Sequence, residues 1–169
     1  MSCSNSKKSD TLQSELNTKS QFQVEKRFLY EFFVDSFQKE MEYELTKKNK
    51  DSSIIYSYKN LYDDEKNMSF KFVKNTNQLF FVGTEFELIK KDHYTDKSLS
   101  ELKFDLYVMT ESVDDGNGPM FFNSEYGILN LDNGWGMNFL YLKTGQEAQI
   151  AEKLNEILKE KTSYNNVYN

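Results

Sequence analysis

From Gln21 to Phe37 the apolar residues recur at helical spacing. Val24, Phe28 and Phe32 form one i, i+4 row and Leu29, Phe33 and Phe37 the adjacent one, while Glu25, Lys26, Glu31 and Asp35 fall elsewhere. A wide apolar stripe of this kind predicts an amphipathic N-terminal helix of about four turns. Its end reads in two ways. Met41 and Leu45 continue the Phe33, Phe37 row and carry the helix to about Lys47, with no Pro or Gly to stop it; yet Met41, Tyr43 and Leu45 also alternate with Glu40, Glu42 and Glu44 as a strand would. The helix is the preferred expectation.

Beyond Lys48 to Ser53 the period becomes two. Ile54 to Tyr58 is β-branched and aromatic; Met68, Phe70 and Phe72 alternate with Ser69 and Lys71; Phe80, Val82, Phe86 and Leu88 share one parity; Leu102, Phe104, Leu106 and Val108 share another. Met120 to Phe122, Tyr126 to Leu131 and Met137 to Leu142 follow, the last two joined by Asp132-Asn133-Gly134-Trp135-Gly136, whose glycines suit a tight hairpin. Thr144 and Glu147 then form a capping box, and Ile150, Leu154, Ile157 and Leu158 give the stripe of a closing helix to about Lys161. The expected fold is α+β: an antiparallel meander sheet of six or seven strands packed by an N-terminal and a C-terminal helix. Residues 1–20 are expected to be a flexible polar tether, 21–162 a single domain and 163–169 a frayed tail.

Composition changes this picture in two places. With 14 Phe, 11 Tyr and one Trp in 169 residues, against two Ala, the core must be built largely from aromatic rings. The net charge of −6, with Arg27 the only arginine, argues against a nucleic-acid partner, because phosphate recognition leans on clustered Lys and Arg. No apolar run is long enough for a membrane-spanning helix, so any membrane association is expected through a lipid anchor alone.

The lone cysteine supplies that possibility. Cys3 is followed by Ser-Asn-Ser-Lys-Lys-Ser-Asp and a polar stretch, which resembles the mature N-terminus of bacterial lipoproteins. The resemblance covers some 18 residues. It implies a diacylglycerol on the Cys3 sulfur and a place at the cell envelope, periplasmic or surface; Met1-Ser2 is not a signal peptide, and a cytoplasmic chain with a chance match is the other reading.

Candidate chemistry is sparse. His93, the single histidine, is expected in an exposed loop beside Asp92 and Asp96, and with Cys3 in the tail no Cys-His pair, multi-histidine metal site or zinc cluster can be assembled. Val113 to Pro119 has oxygen ligands near glycines but lacks the calcium-loop pattern, so it reads as a turn-rich loop. No phosphate-binding glycine motif is present, and no metal or cofactor is expected. The best candidates for ligand or partner binding are Trp135 at the hairpin tip, Asn133 beside it and Tyr107 on a strand face, although a tip that folds over one end of the sheet and buries the indole is the preferred reading of Trp135. The expectation is a non-enzymatic extracytoplasmic lipoprotein domain that binds a protein or other ligand. An acidic immunity or inhibitor protein that neutralises a toxin is the alternative, followed by a hydrolase working through paired carboxylates.

Overall fold

The computed structural model describes residues 23–34, 36–99, 101–111, 116–143 and 148–163. The expected tether with Cys3, the Thr144–Glu147 capping box, Asp114 and Asp115 of the turn-rich loop, and the tail after Ser163 lie outside the described residues.

Ten strands close into one antiparallel barrel: β1 (Gln23–Phe33), β2 (Ser36–Asn49), β3 (Ser53–Asn60), β4 (Met68–Val73), β5 (Gln78–Phe81), β6 (Thr84–Thr95), β7 (Lys103–Met109), β8 (Met120–Asn123), β9 (Gly127–Asp132) and β10 (Met137–Lys143). Each strand pairs with its sequence neighbours, and β1 closes the ring on β10 from Arg27 opposite Lys143 to Phe33 opposite Met137. One helix, α1 (Ala148–Thr162), packs on the outside.

This overturns the open sheet of six or seven strands with two flanking helices. The N-terminal helix is instead the hairpin of β1 and β2, in register from Gln23 opposite Lys47 to Phe33 opposite Ser36. The two apolar rows are the two faces of β1, because residues four apart share a strand face as well as a helix face. Leu29 faces the lumen; Tyr30 and Phe32 face the outer cluster that α1 covers with Ala151, Leu154 and Leu158. The remaining extra strand comes from Gln78 to Thr95, which Val82 and Gly83 fold into a hairpin at φ 48° and 82°, the positive pair that a two-residue type I′ turn requires. His93 also departs from expectation. It lies in β6, half-buried, with its ring 5.9 Å from that of Phe121 and nearly parallel to it.

Closure accounts for the aromatic excess. About eight strands already enclose a lumen just wide enough for side chains to fill, and ten enclose more. Here the filling is Tyr56, Tyr58, Phe70, Phe72, Phe86, Tyr107 and Phe122, all buried, with Phe122 meeting Tyr56, Phe72 and Tyr107 at 5.2–5.8 Å. On the outside β2, β3 and β4 carry Glu40, Glu44, Lys59 and Lys71, all exposed, so these strands face water with their polar side.

Candidate functional site

The barrel has two unlike ends. At the end where β1 begins and β10 finishes, the lumen is plugged by charge. Arg27, fully buried, donates to the Tyr126 carbonyl at 2.9 Å, pairs with Glu25 at 2.8 Å and lies 4.8 Å from the centre of the Tyr126 ring. Lys47 reaches the other Glu25 oxygen at 2.6 Å and also donates to the Glu125 carbonyl, and Lys143 stands 3.8 Å from Glu25. Burial pushes the Glu25 carboxyl up, but the hydrogen bond from Lys47 and the charge of Arg27 outweigh it and hold the group below its ordinary value. A recess of about 1400 Å³ opens here between Glu25, Lys47, Lys50, Lys74 and Lys143. Several of its lysines are already engaged: Lys47 and Lys143 with Glu25, and Lys74 with the Asn49 side chain and the Lys50 carbonyl. It is wide and lined chiefly by charged and polar residues, with more lysines than carboxylates.

The opposite end is different in kind. A cavity of about 320 Å³ enters the lumen between β1, β2, β9 and β10, lined by Leu29, Met41, Leu131, Phe139 and Tyr141, with Met68 and Phe81 opposite and Glu65, Lys66 and Asn117 at its edge. Alternation on the strands explains this lining. Leu29 pairs with Met41 on one side and Tyr141 on the other, and one step nearer the mouth Glu31 pairs with Lys39 and Phe139, so the odd positions of all three strands share the lumen face. Below the cavity the aromatic filling acts as a floor: Phe81 stacks on Phe70 at 4.4 Å, Phe70 meets Tyr58 at 5.7 Å and Tyr58 meets Tyr141 at 5.3 Å.

Three polar groups reach the cavity from within the barrel wall. The Tyr141 hydroxyl is buried and donates to the Met68 Sδ at 3.4 Å, a weak acceptor, and burial, followed by the neighbouring Tyr58 and Tyr43, holds its pKa well above the ordinary phenol value. It stays protonated, with its single O–H directed to Met68. Tyr43 is likewise raised by burial, against the hydrogen bond from Asn60. Glu31 is buried as a residue yet lines the cavity, with Oε2 3.1 Å from the Lys39 ammonium.

Alongside Glu65, Lys66 and Asn117, this end of the barrel carries a rim of exposed apolar side chains. Of the eight large apolar side chains exposed among the described residues, seven (Phe33, Val34, Phe37, Leu61, Tyr62, Val82 and Trp135) belong to the strand ends and connections at this end. Val34 and Val82 are branched residues at φ 44° and 48°, a left-handed conformation that glycine or asparagine takes at less cost, and they are 64% and 80% exposed. The fold accepts strain there to present a valine to solvent. The β1–β2 and β9–β10 turns are joined by a hydrogen bond from Val34 N to the Gly136 carbonyl, so the rim is a connected structure.

Of the three residues singled out in the sequence, Trp135 is 63% exposed on this rim, against the preferred expectation of a buried indole. Asn133 holds the loop that carries it: its Oδ1 accepts from the backbone N of Trp135 at 2.9 Å and of Met137 at 3.1 Å. Tyr107 lies elsewhere, in the lumen filling, edge-on to Phe122 at 5.8 Å and 1% exposed. Glu31, Met41, Met68, Phe139 and Tyr141 were missed as a group. Their one sequence signal is parity: Glu25, Arg27, Leu29 and Glu31 alternate along β1, which places charged and apolar residues on one face. No group of His, Cys, Asp and Glu among the described residues could hold a metal ion. No protein-family model, curated protein or solved structure matches this chain.

Proposed function

We propose that this protein is a non-catalytic binding barrel that takes a small, mainly apolar ligand into the mouth cavity, and that it is held at the cell envelope by a lipid on Cys3. The observation that carries the binding reading is the cavity itself: about 320 Å³, walled by Leu29, Met41, Met68, Phe81, Leu131 and Phe139, with polar groups at Glu31, Tyr43 and Tyr141. A concave, apolar wall with a few convergent polar groups is the usual form of a small-molecule site, and the volume falls at the lower end of its range. The exposed apolar side chains gathered at the same end, among them Phe33, Val82 and Trp135, support the same reading. The anchor rests on Cys3 and the polar stretch after it.

Calorimetric titration with 1-octanol tests the binding reading. The expected result is saturable one-to-one binding to the native chain and its loss in Met41→Trp, where the larger side chain fills the cavity while the circular dichroism spectrum is unchanged. Absence of saturable binding to the native chain, or equal binding to a folded Met41→Trp, overturns it. Mass spectrometry of the protein isolated from its own cells tests the anchor: a diacylglyceryl mass on Cys3 is expected, and a bare thiol there removes it.

A further inference from the structure

We infer that the mouth cavity selects ligands that carry a positive charge on an apolar body, a primary or quaternary alkylammonium being the simplest case. The inference rests on the binding reading above and adds the sign of the ligand's charge. The wall around Glu31 is apolar: in the sheet register its carboxylate stands between Lys39 on β2 and Phe139 on β10, with Leu29, Met41 and Tyr141 one step deeper. A carboxylate placed against such a wall favours a cation beside it far more than an exposed one does, because less water screens the pair. Glu31 already has such a cation in Lys39, at 3.1 Å, but Lys39 does not line the cavity and its side chain is 47% exposed. A half-exposed lysine gives up an ion pair at small cost, since its ammonium returns to water. A ligand ammonium can therefore take its place on Glu31 while the ligand's apolar part covers Leu29, Met41 and Phe139.

The rest of the lining favours the same sign. Glu65 adds a second carboxylate, so the lining holds two carboxylates against one cation, Lys66, which also meets Asp63 at 3.3 Å. Four aromatic residues, Phe81, Phe139, Tyr43 and Tyr141, belong to the lining, and aromatic rings attract ammonium ions. An alkyl carboxylate in the same position would set its charge against Glu31 and Glu65.

Titration of the native chain with octylammonium, octanoate and 1-octanol at pH 7 and low ionic strength separates the proposal from the reading beneath it. Octylammonium is expected to bind about tenfold or more tighter than octanoate, with octanol between them, and the preference to shrink as salt is added. In Glu31→Gln the three affinities should converge while octanol binding is kept. Equal binding of the three ligands to the native chain, or tighter binding of octanoate, overturns the charge selection and leaves the binding cavity standing. Binding of none overturns both. If Glu31→Gln fails to fold, raising the salt on the native chain supplies the same comparison: a tenfold preference unaffected by salt counts against the proposal.

Discussion

The Tyr58 hydroxyl stands 2.5 Å from the point that a Cβ on Gly127 would occupy, and the same oxygen accepts the backbone N–H of Ile128 at 3.0 Å. The lumen is thus closed at β9 by a phenol that fits only against a residue without a side chain, at φ 95°. Gly127→Ala meets both obstacles and is expected to destabilise by about 2–4 kcal/mol. Tyr58→Phe leaves the buried Ile128 N–H without its acceptor, for about 1–3 kcal/mol. Because removing the hydroxyl also makes room for the methyl group, the double variant should cost less than the sum of the two. Denaturant midpoints of the four proteins check this; strict additivity would show that the contact does not govern Gly127.

How much of this was legible in the sequence depends on the range over which the information is held. Between Ile54 and Leu142 most strands were legible because alternation is local, and so was α1; the β5–β6 hairpin was not, since Phe80, Val82, Phe86 and Leu88 keep one parity across the turn at Val82 and Gly83. The β1–β2 hairpin was not, since Val24, Phe28 and Phe32 satisfy a helical row and a strand face alike, and the turn at Val34 carries none of the glycine or asparagine that signals one. β1 carries apolar residues on both faces because one meets the lumen and the other lies against the α1 side, a circumstance known only once β1 has closed on β10, more than a hundred residues away. The site suffers from the same distance. Glu31 looks like the polar side of a helix until pairing with Lys39 and Phe139 turns it into the lumen wall.

The charged plug gives the fold an acid limit. Glu25 has a lowered pKa in the folded protein, so its contribution is fully present above the unfolded value of 4.5 and is lost as the pH falls from there through the folded value. Glu25→Gln strips Arg27 and Lys47 of their shared partner and is expected to cost about 1–3 kcal/mol at pH 7, less than for a fully enclosed pair because the recess admits water. Its stability should vary less with pH below 4.5 than that of the native chain. Urea midpoints between pH 3 and 7 measure both effects, and parallel acid limbs would assign the loss to other carboxylates.

His93 sets a second pH dependence at a higher range. Its pKa is lowered, first by burial and then by the charges of Lys161 and Lys90, against a backbone hydrogen bond to Lys161. Its Nε2 is buried without a partner, over the Phe121 ring. The unfolded chain then binds the proton more readily than the folded one, so stability declines as the pH drops below about 6.5 and levels off under the folded value. His93→Phe should keep the stack on Phe121 and remove this decline. Thermal melting at pH 7.5 and 5 distinguishes the two proteins: a native chain that melts at one temperature throughout that window contradicts the assignment.

Trp135 should separate a residue that serves the mouth from those that hold it in place. Its indole is 63% exposed and its loop is fixed without it, by Asn133 Oδ1 on two backbone N–H groups, by Asp132 Oδ1 on Gly134 N at 2.8 Å and by the Val34–Gly136 hydrogen bond. Trp135→Ala is therefore expected to shift stability by no more than about 0.5 kcal/mol. Asn133→Ala leaves two backbone donors of the turn without their acceptor and should cost about 1 kcal/mol or more. The indole stands on the rim and outside the cavity lining, so its loss should weaken octanol binding by only about two- to threefold, the worth of a partly covered apolar contact. As the only tryptophan it also reports on the mouth directly: acrylamide should quench it readily in the free protein and less so as octanol saturates the cavity. Quenching that is weak from the start, or that ligand leaves unchanged while calorimetry shows saturation, would place the bound molecule away from the rim.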